Sequence, residues 1–500
     1  MKTVLDFLRR HALVVLSALV VLSIPAGAAF GKYAQSVAVT DKLNLNVEMK
    51  TYKLADGGSF KSAIATNCWD VQKIKFCNAS DVKREFEDNS ESYKCKDKNG
   101  EDVTVNVYGS GNIYLYYNSN TRTAYVAPET DGTIYANESC ANMFYAFDSL
   151  GKNIPYSELT EIDFGNFNTS KVTNMESMFA FHPYNIKPKL KQLNLSKFDT
   201  SKVTTMSRMF SGQAELTSLD LSSFNTANVK DMSGMFGTCF NLGSITIGNG
   251  FNTSNVTTMN GMFSSCINLS SFPLDRLNTS NVTDMSFMFK ATGFTTLDLT
   301  TFDTSKVTQM YCMFEGNLEK DDRYGSGYSP RLESVDLSSF NTSNVTNMQR
   351  MFYKAENLKE IDLSKFNTEK VTNMVEMFYE CTGLKELDLA SFNTLKVTNM
   401  DYMFYGCSNL VTIKVSDGFN VDNLARGYFM FSGCKNLKGG SGTQSPGVNP
   451  TDKTYARIDN PPDNPGYFTA APGTSTTSTF SATGTDAAAN GFGLELDLAS

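Results

Sequence analysis

Three tyrosines have the spacing that most directly suggests a binding role in this sequence. Tyr353, Tyr379 and Tyr405 each follow the phenylalanine of a repeated Met-Phe pair, and they are separated by 26 residues. Aromatic side chains aligned on a surface often anchor protein interfaces. A row of this kind could equally pack against the neighbouring element, and the sequence leaves both interpretations open.

Acidic side chains form a second candidate site. They alternate with apolar residues in short strand-like segments, so we expect them on the open face of a sheet. The candidates are Asp336, Glu360, Asp362, Glu386 and Asp388. Such a stripe could attract a basic partner or weakly hold cations such as calcium through its carboxylate oxygens. The alternative is that these carboxylates are simply solvated.

Residues that usually perform catalysis are scarce. The chain has two histidines, His11 and His182, and only His182 would remain once an N-terminal leader is removed. A hydrolase needs a nucleophile beside a base, and no nucleophile motif accompanies His182. No Cys-x-x-Cys pair suggests zinc either. We therefore predict a protein that is not an enzyme and has no catalytic residues, cofactor or metal site.

A repeated segment must position the tyrosines and the carboxylates. Between Leu159 and about Leu437, a pattern centred on a methionine recurs about ten times, mostly in steps of 25 to 27 residues. The repeated methionines are Met175, Met206, Met232, Met259, Met285, Met310, Met348, Met374, Met400 and Met430. Steps of this length are typical of leucine-rich repeats, which bury apolar side chains against neighbouring repeats. The longer step after Met310 predicts an inserted surface loop.

Each repeat contains two periodicities. Leu387 and Leu389 alternate with polar residues, which predicts a strand. The helical spacing i, i+3, i+4, i+7 predicts a short helix and is met by Met232, Met235, Phe236 and Cys239. Thr204 stands just before the same pattern in the repeat of Met206, where it is placed to be an N-cap. The expected fold is an α/β repeat solenoid: a leucine-rich-repeat array with one parallel sheet and short helices opposite, preceded by a β-rich N-terminal region.

The repeat also resembles a known family. Residues 336–352 read Asp-Leu-Ser-Ser-Phe-Asn-Thr-Ser-Asn-Val-Thr-Asn-Met-Gln-Arg-Met-Phe. This segment is similar to the repeats of about 26 residues in the BspA-like bacterial surface proteins. The resemblance implies extracellular display, a leucine-rich-repeat fold and, in some members, adhesion to host matrix proteins or other cells.

Composition shifts suggest five segments. Residues 1–28 are predicted to be a signal peptide, because Lys2, Arg9 and Arg10 precede an apolar run that ends near small residues. An uncleaved N-terminal anchor is the alternative. Residues 29–138 form the β-rich region, 139–438 the repeats with a capping coil, 439–472 a closing segment, and 473–500 a disordered tail rich in Thr, Ser, Gly and Ala.

Nine of the ten cysteines fall into two groups. Five occupy the same slot of the repeat, three residues after its phenylalanine: Cys239, Cys266, Cys381, Cys407 and Cys434. We expect a buried, reduced ladder there, although disulfides between neighbouring repeats are geometrically possible. Four more, Cys68, Cys77, Cys95 and Cys140, lie outside the regular repeats and allow three pairings.

Taken together, these features predict an exported, non-catalytic bacterial protein that is secreted or displayed at the cell surface. Its repeats would bind an extracellular protein or glycan. The alternative is a structural spacer of the cell envelope without a specific ligand. A formal net charge of −8 without basic clusters argues against nucleic acid as a partner. Membrane contact is expected only through an uncleaved signal segment.

Overall fold

The computed structural model describes residues 51–86, 93–107, 110–146, 156–182, 188–316, 330–444 and 451–474. The expected signal peptide, nearly all of the expected tail and residues 317–329 of the insertion lie outside the described residues. Within the described ranges, no helix is long and apolar enough to cross a membrane.

A four-stranded sheet organises the N-terminal part of the chain. Its strands are, in spatial order, β3 (Ile113–Asn118), β4 (Thr123–Pro128), β2 (Lys73–Phe76) and β6 (Glu161–Asp163). Strand β2 is parallel to β4 and β6, whereas β3 is antiparallel to β4. A smaller parallel sheet joins β1 (Tyr52–Lys53), β5 (Ile134–Tyr135) and β7 (Phe167–Asn168). The predicted β-rich character is therefore present.

Two helices in this part were not predicted from the sequence. They are α1 (Gly57–Asn67) and α2 (Ala79–Glu85). The Asp56 carboxylate begins α1 by accepting hydrogen bonds from the N–H groups of Gly58 and Ser59, at 3.0 and 3.1 Å. Gly57 and Gly58 suggest a turn in the sequence, but they begin a helix in the structure. A glycine is required at position 57 because a Cβ there would lie 2.3 Å from the Ala141 carbonyl oxygen.

The repeats form several short parallel sheets, and the prediction of one continuous sheet was wrong. The paired strands are β8 (Ser218–Leu221) with β9 (Ser244–Ile247), β10 (Thr296–Asp298) with β11 (Ser334–Asp336), and β12 (Glu386–Leu389) with β13 (Thr412–Val415) and β14 (Thr469–Ala470). Between β9 and β10, the equivalent segment contains Pro273, which has no N–H to donate. A 3-10 turn at Leu274–Arg276 replaces the strand there.

The predicted helices opposite the strands were also wrong, because the described residues of the repeats contain no α-helix. The Met-x-x-Met segments form consecutive turns. In one repeat, the Met235 N–H donates to the Met232 carbonyl at 3.2 Å, while the N–H groups of Met232 and Gly234 donate to the next repeat. The third residue of each segment has a left-handed backbone, with φ between 50° and 61°; these are Ser177, Arg208, Gly234, Gly261, Phe287, Cys312, Arg350, Glu376, Tyr402 and Phe429.

The left-handed slot gives a simple stability test at Gly261, where φ is +61°. Gly261→Ala is expected to lower the free energy of unfolding by about 1–2 kcal/mol, the penalty of a Cβ in this backbone region. Steric overlap does not contribute, because the nearest atom to the new Cβ would be 3.7 Å away. Gly243→Ala is the matched control, since its nearest contact is also 3.7 Å and its φ is not left-handed. Equal losses in urea denaturation of both variants would contradict the assignment.

The threonine predicted to be an N-cap has another role. The Thr204 hydroxyl donates to the carbonyl of Thr173 in the preceding repeat, at 3.0 Å. Equivalent bonds join Thr283 to Thr257 and Thr398 to Thr372. These threonines therefore connect neighbouring repeats and cap no helix.

A second, buried threonine row connects the repeats more tightly. The hydroxyl of each threonine in this row donates to the carbonyl of an Asn or Asp in the next repeat. It also accepts a hydrogen bond from the N–H of that same residue. Thr342 shows the pattern with Asn367, with both distances at 2.8 Å. The row comprises Thr169, Thr200, Thr226, Thr253, Thr279, Thr304, Thr342, Thr368 and Thr394.

A column of phenylalanine rings fills the centre of the repeats. Neighbouring rings are nearly parallel, with centroids 5.3 to 6.0 Å apart. The column contains Phe144, Phe179, Phe210, Phe236, Phe263, Phe289, Phe314, Phe352, Phe378, Phe404 and Phe431, all of them buried. The repeated methionines surround it and are buried as well. Because one repeat buries its apolar side chains against the next, the core is continuous.

Candidate functional site

The structure brings the three predicted tyrosines together in one stacked row. The ring centroids of Tyr353 and Tyr379 lie 4.7 Å apart, and those of Tyr379 and Tyr405 lie 4.8 Å apart, with interplanar angles of 19° and 10°. The parallel pairing of neighbouring repeats fixes this spacing, since equivalent residues of paired strands are about 4.8 Å apart. All three side chains are half-buried, so ring edges remain accessible.

Charged side chains border one end of the row. Arg350 forms an ion pair with Glu376 and lies with its guanidinium carbon 4.9 Å from the centroid of the Tyr353 ring. Lys354 is 3.1 Å from Glu380 and 5.8 Å from the same ring centroid. These cations contact the ring while remaining paired with carboxylates of the next repeat. Burial raises the pKa of both Tyr353 and Tyr379, so neither ring is ionised near neutral pH.

The row continues into aromatic residues that sequence reasoning missed. Tyr402 lies 5.7 Å from Tyr405 and stacks on Phe429 at 5.4 Å. Phe429 and the adjacent Tyr428 are 50% and 57% exposed, which is unusual for large apolar side chains. We call this set the aromatic surface: Tyr353, Tyr379, Tyr402, Tyr405, Tyr428 and Phe429. Tyr402 and Phe429 occupy the third position of the repeated Met-x-x-Met segment, which has a left-handed backbone. An interpretation of this segment as turns and not as a helix would have predicted that these two side chains point outward.

The predicted acidic residues differ in their partners and in their positions. Asp336 pairs across strands with Asp298, while Glu386 forms an ion pair with Lys414 of the next strand. Glu360 and Asp362 are exposed but lie outside the strands. Among the described residues, no group of three or more His, Cys, Asp or Glu side chains could hold a metal ion.

The aspartates of this set have a local structural role. The carboxylates of Asp336, Asp362 and Asp388 each accept a hydrogen bond from the N–H two residues further on, at 2.8 to 3.0 Å. This is the geometry of an Asx-turn. The backbone hydrogen bond from Ser364 lowers the pKa of Asp362, which keeps that carboxylate charged. Their recurrence in the repeat therefore follows from the turn that ends each strand-like segment.

The five cysteines of the repeat slot are buried free thiols. Each thiol donates to the carbonyl of the phenylalanine in the preceding repeat, at 2.9 to 3.1 Å. Burial raises the pKa of Cys239 and Cys407 to about 12. These thiols stay protonated at neutral pH and are poor nucleophiles.

Outside the repeats, the structure brings together two of the four cysteines, Cys68 and Cys95, and pairs neither Cys77 nor Cys140. The thiols of Cys68 and Cys95 hydrogen-bond to each other, and this bond raises the pKa of Cys68 and lowers that of Cys95. The Cys140 thiol instead faces the Asn137 carbonyl oxygen at 3.6 Å.

Oxidised glutathione is therefore expected to produce one intramolecular disulfide, between Cys68 and Cys95, with two glutathione thiols released. Peptide mapping by mass spectrometry checks the pairing, and Cys95→Ser should abolish it. The bond closes a loop that contains β2 and α2, so it should raise the free energy of unfolding by about 3 kcal/mol. A disulfide that includes Cys77 or Cys140 would contradict the arrangement.

The repeats coincide with a known protein family. Residues 138–248, 240–324 and 326–442 match one family model, described as "Mycoplasma protein of unknown function, DUF285". These segments cover more than half of the chain. The chain belongs to the DUF285 family. The matches to DUF285 contain the whole aromatic surface, whereas most of the N-terminal sheet and both of its helices lie before them.

Other comparisons add little to the DUF285 assignment. A crystal structure of a leucine rich cell surface protein from Faecalibacterium prausnitzii A2-165 is similar over 62% of this chain and 94% of its own chain, at 16% identity and a TM-score of 0.24. No curated protein matches the chain at a significant level.

Proposed function

We propose that this DUF285 protein is an exported, non-catalytic cell-surface protein whose repeat solenoid binds a protein partner through the aromatic surface. The observation that carries the proposal is the stacked row of Tyr353, Tyr379 and Tyr405 continuing into the half-exposed Tyr428 and Phe429. Large exposed aromatic side chains in one patch are the usual anchors of protein interfaces.

The stacking favours a protein partner over a glycan. Sugars are usually recognised on the open face of an aromatic ring, but both faces of Tyr379 are covered by Tyr353 and Tyr405. What remains accessible is a row of ring edges and hydroxyl groups beside the Arg350 and Lys354 ion pairs. Such a mixed aromatic and charged surface suits the side chains of another protein.

The test measures binding of the full chain to purified extracellular-matrix proteins by surface plasmon resonance, with a glycan array in parallel. Tyr428→Ser with Phe429→Asn removes exposed aromatic area, and Asn tolerates the left-handed backbone of position 429. We expect saturable binding to a protein and a loss of at least about tenfold in affinity, equivalent to about 1.4 kcal/mol.

Leu395→Ser with Val411→Ser is the matched control, because these two residues are 52% and 42% exposed and lie outside the aromatic surface. Their replacement should leave affinity unchanged. Equal losses in both double variants, or binding to glycans alone, would contradict the proposal. No binding by the folded chain would favour a structural spacer of the cell envelope.

A further inference from the structure

A polar cleft of about 390 Å³ opens beside the N-terminal sheet, far along the chain from the aromatic surface. Its floor is a cross-strand row in which Tyr125 of β4, Lys75 of β2 and Asp163 of β6 are in register. Val82 of α2 and Phe86, the residue after this helix, pack against the Tyr125 side of this sheet face. The Asp163 side of the same sheet face stays exposed. The cleft lies where these apolar side chains cover one part of the sheet face and leave the other part open.

Helix α2 supplies three charged side chains to the cleft wall. Asp81 and Arg84 pair with each other at 2.8 Å. The Glu85 carboxylate accepts a hydrogen bond from the Tyr125 hydroxyl at 2.8 Å. With the Asp81–Arg84 pair neutral, Glu85 and Asp163 face one cation, Lys75, and the cleft carries a net negative charge.

A buried acceptor without a donor lies at the end of the cleft. The Asn166 Nδ2 donates to the carbonyls of Gly132 and Cys77, at 2.7 and 3.0 Å, which fixes the orientation of the amide. The Asn166 Oδ1 is buried and accepts no hydrogen bond from the described residues. Gly165 lets this segment approach, since a Cβ there would lie 1.9 Å from the Phe76 carbonyl oxygen. An unsatisfied buried acceptor is costly, and a ligand donor would relieve that cost.

We propose that this cleft binds a small molecule carrying a protonated primary amine. The carboxylates of Asp163 and Glu85 would attract the ammonium group, and a rotation that exposes the buried Asn166 Oδ1 would let this oxygen accept a hydrogen bond from the ligand. The volume falls within the usual range for small-molecule sites, about 300–1,000 Å³. A metal ion fits less well, because the described residues hold no metal-binding cluster. This site is independent of the protein-binding function proposed for the aromatic surface.

The cleft is suited to binding and not to reaction at its cysteine. Burial raises the pKa of Cys77, which lines the cleft, to about 12. The thiol therefore stays protonated at neutral pH and is a weak nucleophile. His182, the one histidine among the described residues, does not line the cleft and so cannot act there as a base.

The experiment titrates the full chain with butane-1,4-diamine by isothermal calorimetry, with butane-1,4-diol as the uncharged control. We expect saturable binding of the diamine and none of the diol. Asp163→Asn should weaken the diamine at least tenfold, while its Oδ1 can still accept from the Gly165 N–H, as the carboxylate does at 3.0 Å. Asp388→Asn, an equivalent change at an exposed Asx-turn in the repeats, should leave binding unchanged.

Several outcomes would overturn the proposal. They are equal binding of the diol, unchanged affinity in Asp163→Asn, and no saturable binding by the folded chain. An equal loss in Asp388→Asn would also overturn it, because it would show that the diamine responds only to overall negative charge. Glu85→Gln gives an independent check if Asp163→Asn fails to fold, as shown by circular dichroism.

Discussion

Phe352→Ala is expected to lower the free energy of unfolding by about 3–5 kcal/mol, the range for truncation of a fully buried aromatic residue. Phe352 is buried and stacks between Phe314 and Phe378, with centroid distances of 5.4 and 5.6 Å. Its removal leaves a cavity and breaks two ring contacts, each contributing about 0.5–1.5 kcal/mol beyond area burial. Guanidinium denaturation followed by circular dichroism measures the change.

The variant Phe352→Leu is the control for volume. It keeps most of the apolar contact and should therefore cost clearly less than the alanine variant. Because each repeat contacts mainly its neighbours, the alanine variant should also broaden or split the unfolding transition as the two sides of the column separate. A loss below about 1 kcal/mol would mean that the site collapses around the missing ring, and that the column is not the continuous core described above.

The buried core was the most predictable feature, because the same apolar positions recur in every repeat. The repeated methionines from Met175 to Met430 are all buried, as the periodicity indicated. The spacing of apolar residues predicts which side chains are buried together. That prediction remains correct even when the backbone conformation is assigned wrongly.

The backbone of the Met-x-x-Met segment was not predictable from apolar spacing alone. A helix and a series of turns can both place residues i, i+3, i+4 and i+7 on one side. The distinguishing signal is the third position, where Gly234 and Gly261 occur among larger residues and where φ is positive in every repeat. In a helix these glycines are unfavourable, whereas in a left-handed turn they are the residues with the least strain.

This backbone also explains how one surface can vary without disturbing the core. The left-handed slot contains residues as different as Arg350, Glu376 and Tyr402, because adjacent methionines supply the buried contacts. Three of the six members of the aromatic surface follow a core phenylalanine, and two occupy this slot. Sequence spacing identified the first group, but the second required the turn geometry.

For the carboxylates, the sequence predicted the position of the side chains but not their role. Alternation correctly placed Asp336 and Asp388 on exposed strand positions, but it could not show that their oxygens serve their own turns. A recurring acidic residue can reflect a repeated backbone turn as easily as a repeated ligand contact.

Thr342→Val is expected to be strongly destabilising, although it is a conservative change within the buried threonine row. Thr342 is fully buried, and its hydroxyl satisfies both the N–H and the carbonyl of Asn367 in the next repeat. Valine has nearly the same shape but leaves both groups without this partner, at a cost of about 1–3 kcal/mol for each one that water cannot reach.

Thr342→Ser keeps the hydroxyl and should cost only about 0.8 kcal/mol for the lost methyl group. Thr372→Val controls for hydroxyl removal, because Thr372 is exposed and its hydroxyl makes one hydrogen bond, at 3.3 Å. If urea denaturation shows Thr342→Val and Thr372→Val to be equally stable, the buried threonines fill space and do not fasten one repeat to the next.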